Sequence, residues 1–368
     1  MLELVLDKEF VNTFHLAYKG KEEYVEDFRK YFLKNLQKLT LVSNYLDLHE
    51  IEKEVKGKDN PLLELIIEHV DKFIFCSDLL TQIDSPEFPV TGSPFKIILT
   101  GENTATCTSR RKRFGLEYLN PENLSDRWQL YFSQRIDINK KTTDDTEIPA
   151  NFRFDSWECL KPFIHPLNAI IIVDFYLLNW EREAELTSNL DNNITPLLFN
   201  LLSQASSEIP VELTFVSEFK DKLPIKQNER VNTSISRIEE AIIKITSKPF
   251  KLNIIVHKKD KYPKDFQEFH DRIIVTNYFY INSGAGFTIR SRNSGINIFK
   301  NSGEIFKIRH NTEVHFRSIL NILNFWSAFK DLKQLDIYCK RLENHPGLTD
   351  YVSYCPSKTN RLLNIEHS

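Results

Sequence analysis

Apolar and polar positions along this chain follow two alternating patterns. Short, nearly continuous hydrophobic runs are separated by stretches whose apolar residues recur at helical spacing. Leu2 to Leu6 reads as a strand, and Lys38–Ser43, Phe73–Cys76 and Phe95–Thr100 read as three more. Between them, Lys21–Gln37 places Tyr24, Phe28, Tyr31 and Phe32 on one helical face. Asn60-Pro61 opens a further helix carrying Leu62, Leu63, Leu65, Ile66 and Ile67, with proline in the first turn, where it is tolerated. Strands alternating with helices predict an α/β layer with a partly parallel sheet.

The second half repeats the alternation. Asn168–Tyr176 (NAIIIVDFY) has the continuous apolar character of a strand buried on both faces. A helix around Ile194–Gln204, a strand at Val211–Val216, a charged loop at 218–232, a helix at Ser234–Thr246 and a strand at Leu252–His257 follow. After a Lys/Asp-rich loop, Lys258–Glu268, His270 opens a strand whose apolar part is Ile273–Thr276, and Tyr278–Ile281 forms the next. Ile296–Phe299 and Glu304–Ile308 read as a hairpin, and Glu313–Phe329 as a closing helix. Segment 138–150 (INKKTTDDTEIPA) is polar and without period, as expected of a linker. The expected organisation is therefore an N-terminal α/β domain, 1–150, whose role the sequence leaves open, and a second α/β domain, 151–368, with a mixed sheet.

Composition narrows the function classes. With 368 residues, 27 Phe and 13 Tyr, the chain has material for a large core. Its formal net charge of −3 provides no global field toward nucleic acid or anionic lipid, so any such binding has to be local. The five cysteines, at 76, 107, 159, 339 and 355, form no CxxC pair and no zinc-like cluster. They read as reduced thiols of a cytoplasmic protein. MLELVLDKEF carries acids within its apolar start and is not a signal peptide, and no run is long enough to span a bilayer. No metal site and no cofactor is expected.

The chemistry is concentrated between His270 and Phe287. His270-Asp271-Arg272 is followed by four residues and Asn277, then by six residues and Gly284-Ala285-Gly286-Phe287. This spacing resembles the phospholipase D superfamily motif, His-x-Lys, four residues, Asp, six residues, Gly-Ser-x-Asn. His270 stands on the His, Arg272 on the Lys and Gly284 on the Gly. Asn277, Ala285 and Phe287 replace the Asp, Ser and Asn. Arginine keeps the cation but exchanges a point ammonium for a planar fork. Asparagine in place of aspartate removes a charge that would stabilise a histidine cation. The superfamily builds its sites from two facing motifs. Here the only other His-x-Lys, His257-Lys258-Lys259, has Lys264 where the Asp belongs. HDRIIVTNYFYINSGAGF, together with the element order upstream, is most similar to the C-terminal phospholipase D-like domain of MIT-domain-containing proteins, over roughly 165–320. That resemblance implies a degenerate phosphodiesterase fold, an α/β/α domain, that binds membranes or partners. The α/β pattern of the N-terminal half replaces that family's helical module, so a role in membrane trafficking does not carry over.

Other residues carry weaker signals. Arg110-Arg111-Lys112-Arg113 is the densest basic run and a candidate phosphate contact, with a solvated loop as the plainer reading. Arg290, Arg292 and Lys300 follow the degenerate motif and extend an anion groove if they face it. Asp174 ends the apolar strand, where open α/β sheets place ligand groups. It serves equally well as a cap on the next turn, or as a partner of Arg272 on a neighbouring strand. Gly284-Ala285-Gly286 fits a tight turn better than a phosphate cradle. The leading expectation is a non-catalytic binding or assembly module that takes an anionic ligand or a protein partner. One alternative is a phosphodiesterase or nuclease with His270 as nucleophile and Arg272 as phosphate clamp, completed by a second subunit in a homodimer. Another is a nucleic-acid-binding component of a bacterial antiviral defence complex that uses Arg110–Arg113.

Overall fold

The computed structural model describes residues 2–18, 39–58, 60–124, 135–137, 156–158, 161, 164–174, 176–219, 227–258, 272–282, 287, 315–318 and 360–363. The expected helix 21–37, linker 138–150 and hairpin 296–308 lie outside them, as do His270, Gly284, Arg290, Arg292 and Lys300.

The fold is α/β and contains two sheets. The first has the order β3-β2-β1-β4-β5, built from β1 (Leu2–Leu6), β2 (Leu39–Ser43), β3 (Val70–Phe75), β4 (Lys96–Leu99) and β5 (Glu117–Leu119). Every pairing in it is parallel. The central strands β1 and β4 carry Leu4, Val5, Leu6, Ile97, Ile98 and Leu99, all almost fully buried, as strands covered on both faces must be. The chain winds outward in both directions from β1, so the reversal of strand order falls between β1 and β4.

The second sheet has the order β6-β12-β11-β10-β7-β8-β9. β7 (Ala169–Val173), β8 (Val211–Phe219) and β9 (Phe250–Lys258) run parallel. β10 (Ile273–Thr276), β11 (Phe279–Asn282), β12 (His315–Ser318) and β6 (Arg135–Asp137) continue the sheet in antiparallel steps from β7, making it mixed as expected. Residues 315–318 are thus extended, although the apolar spacing of 313–329 reads as a helix. Pairing with β11 on one side and β6 on the other holds them in the sheet. β6 precedes the expected linker in sequence yet belongs to this second sheet. The helix expected from Ser234 starts earlier, at Gln227, and runs to Ile245, while β8 extends to Phe219, so the charged segment 218–232 is partly regular.

Buried side chains from both sheets form one continuous core. The joint between the sheets is polar and specific. Helix Thr104–Phe114 begins at Asn103, whose side chain accepts a hydrogen bond from the Thr106 amide, and ends at Gly115 in a left-handed conformation, φ 64°. A Cβ on Gly115 would lie 2.2 Å from the Leu167 carbonyl oxygen, so glycine is needed for conformation and for close approach alike. Across this contact the Asn168 side chain donates to the Phe114 carbonyl, and the Ser207 and Glu208 amides donate to the Lys112 and Arg113 carbonyls. Near the C-terminus, residues 360–363 are buried against the same joint. The Arg361 guanidinium pairs with Glu212 of β8 and donates to the Pro89 carbonyl beside the first sheet.

Candidate functional site

Register brings the first two site residues together. β10 runs antiparallel to β7 with Ile273 opposite Val173, so Arg272 and Asp174 extend the ladder by one step, just beyond its end. Arg272 Nε donates to Asp174 Oδ1 at 3.0 Å. The same oxygen accepts the Tyr176 amide at 3.0 Å, closing the turn after β7. Asp174 is 2% exposed, and burial pushes its carboxyl pKa up in spite of the nearby guanidinium. The aspartate therefore both caps the turn and orients the arginine. Arg272 lies under the Tyr176 ring, 5.0 Å from its centroid. Only its Nε is engaged; the Nη fork has no partner among the described residues.

Arg272 and Tyr176 form one side of an open cleft of about 720 Å³. The opposite wall is the helical stretch Glu183–Ile194, which ends in a single π turn, Leu190–Ile194. π turns inside helices often accompany functional sites. The residues of that wall, Ser188, Asn189, Asn192 and Asn193 among them, carry no sequence motif. Sequence reading missed them because an asparagine-rich helical segment is unremarkable until a cleft is found beside it.

Asn277 stands apart from this cleft. It is fully buried, and its amide is used up on backbone. Oδ1 accepts from the Asn168 and Ala169 amides at 3.1 and 3.0 Å, fixing the start of β7. Nδ2 donates to the Pro94 carbonyl of the first-sheet half at 2.8 Å. An ionised aspartate has no proton to give that carbonyl. The asparagine amide thus supplies both the acceptor and the donor that this joint uses. Phe287, at the motif's closing asparagine, is likewise buried, beside Trp157, whose indole N–H donates to the Phe287 carbonyl at 2.8 Å.

The basic run lies in the last turn of helix Thr104–Phe114, where cations complement the helix dipole. Its guanidiniums are all ion-paired, and those of Arg110 and Arg111 face inward. Arg110 is buried and ion-paired with Glu102 and Asp84. Arg111 pairs with the buried Glu117 at 3.0 Å, and Glu117 also meets His165 Nδ1 at 2.8 Å. Arg113 joins Asp84 to Glu208 across the joint. Lys112 alone of the four is exposed. What reads in sequence as a basic patch is, in space, a set of ion-pair clamps, two of them buried and that of Arg113 at the surface.

Asp7, at the carboxyl end of β1 where strand order reverses, is the other position a doubly wound sheet offers to a ligand. Its carboxylate is already hydrogen-bonded by the Asn44 side chain and by the Gly101 amide. Among the described residues no group of three His, Cys, Asp or Glu side chains is placed to hold a metal ion. No described helix is long and apolar enough to cross a membrane.

No protein-family model matches this chain, and no curated protein matches it significantly. Its function therefore has to be argued from the site itself.

Proposed function

We propose that the chain is a non-catalytic binding module whose second half is a degenerate phospholipase D-like domain, with the Arg272 cleft as its anion-binding site. The observation that carries this reading is the use made of Asn277. At the position where the superfamily motif has the aspartate, the side chain is fully buried and committed to three backbone groups. Phe287 supports the same reading, because a buried ring occupies the place of a hydrogen-bonding amide. Arg272 is what remains of the phosphate-binding chemistry. Asp174 holds its Nε, and the Nη fork is left for a bidentate oxyanion.

A thermal-shift titration with inorganic phosphate and pyrophosphate tests the binding half of this reading. Stabilisation that grows with anion concentration, and that Arg272→Gln removes, is expected. No shift with either anion would contradict it.

A further inference from the structure

The cleft offers more than a cation. Tyr176 is 55% exposed and is the one exposed large hydrophobic residue in the cleft lining. Its ring lies over Arg272 and presents a flat aromatic surface at the mouth. On the facing helix, Asn193 Nδ2 donates to Asn189 Oδ1, which leaves Asn189 Nδ2 without a partner among the described residues. Asn192 Nδ2 donates to Ser188, leaving Asn192 Oδ1 as an acceptor. Asn193 Oδ1 is buried and accepts no hydrogen bond among the described residues. The wall thus offers one donor, Asn189 Nδ2, and one acceptor, Asn192 Oδ1, to a flat ligand edge, with the buried Asn193 Oδ1 out of its reach.

Charge adds a restriction. Arg182, on the rim, is paired with Glu185, and Arg272 with Asp174, so the described residues of the cleft bring no surplus of positive charge. Its selectivity has to come from shape, stacking and amide hydrogen bonds, with the Arg272 fork taking a single anionic group. A lipid headgroup fits poorly, since Tyr176 is the one large apolar side chain that the described lining offers to acyl chains. Duplex nucleic acid fits poorly as well, because its bases are already stacked on one another. A base that is free to stack, carrying one phosphate, meets every feature.

We propose that this cleft binds a nucleotide, with the base stacked on Tyr176, its edge read by Asn189 and Asn192, and its phosphate held by Arg272. The proposal rests on the anion-binding reading of Arg272 and specifies the ligand class. Its source is either a free mononucleotide or an unpaired nucleotide of a single strand. A volume of about 720 Å³ suits a ligand of that size.

Calorimetric titration of the full chain with inorganic phosphate, adenosine monophosphate and a short oligothymidylate tests it. One base on one aromatic ring is worth about 1–3 kcal/mol, so at least one nucleotide probe should bind about 5- to 150-fold tighter than phosphate. Tyr176→Ala should erase that advantage while phosphate binding persists, and Tyr176→Phe should keep it. Because Tyr176 is exposed, neither variant threatens the fold. Tighter binding of the oligonucleotide identifies a single strand as the source, and tighter binding of the monophosphate identifies a free nucleotide. Equal affinity for phosphate and both nucleotides, or indifference to Tyr176→Ala, overturns the nucleotide proposal and leaves the anion reading standing. Binding of no probe overturns both.

Discussion

Asn277 Nδ2 donates a hydrogen bond to the Pro94 carbonyl at 2.8 Å, joining the turn after β10 to the segment that leads into β4 of the other sheet. One side-chain amide thus bridges two halves of the chain that are far apart in sequence. Its other end accepts two amides at the start of β7.

Replacing this amide with a carboxylate is expected to harm the protein. In Asn277→Asp an ionised carboxylate would face a carbonyl oxygen in a buried site, at a cost of about 3 kcal/mol. Burial would hold the introduced carboxyl's pKa above its unfolded value. The loss is therefore full at neutral pH and shrinks as pH falls through the folded pKa, where the protonated acid can donate to Pro94. Urea denaturation at several pH values checks both size and sign. Equal stability of variant and wild type at neutral pH would refute the role given to this amide.

Tyr278 makes the second bridge. Its hydroxyl accepts the Glu117 amide at 2.9 Å and donates to the Lys96 carbonyl, so the β10–β11 turn is hydrogen-bonded to β4 and β5 together. Tyr278→Phe leaves those backbone groups unsatisfied in a buried site and should lower stability by about 1–3 kcal/mol. Chemical denaturation followed by tryptophan fluorescence measures it. A change under about 0.5 kcal/mol would mean that the hydroxyl contributes nothing to the joint.

Asp174 predicts a pH dependence of opposite direction to that of an ordinary salt-bridged carboxylate. Its folded pKa is raised by burial, so the folded protein keeps this proton at pH values where the unfolded chain has lost it. Its contribution to stability therefore declines as pH rises above the model-peptide range, about 4, and levels off above the folded value. Asp174→Asn keeps the Oδ1 acceptor for Tyr176 and Arg272 while removing the charge. The stability of this variant relative to wild type should rise with pH across that window. A difference that does not change with pH would contradict the assignment.

The strands were legible in the sequence because strands covered on both faces must be apolar throughout. Ala169–Val173 and Lys96–Leu99 are buried at every position. Helix Thr104–Phe114 was not read from the sequence, which offered a solvated loop there, since its polar interior hides any apolar stripe. Residues 315–318 misled because four residues drawn into a sheet by β11 and β6 leave little period of their own. The Arg272–Asp174 pair was within reach of sequence reasoning, as two charged residues at the ends of apolar strands. The ion pairing of Arg110, Arg111 and Arg113 was not, because it depends on Glu102, Asp84, Glu117 and Glu208 meeting one helix end in space. The committed amide of Asn277 was hidden for the same reason: its partner at Pro94 belongs to a different sheet.

The central claim, a phospholipase D-like module without phosphodiesterase chemistry, is tested most directly by hydrolysis of bis(4-nitrophenyl) phosphate. Purified wild-type protein and His270→Ala are compared over a prolonged time course. The account predicts that both match the uncatalysed background. Turnover by the wild type that disappears in His270→Ala would contradict it.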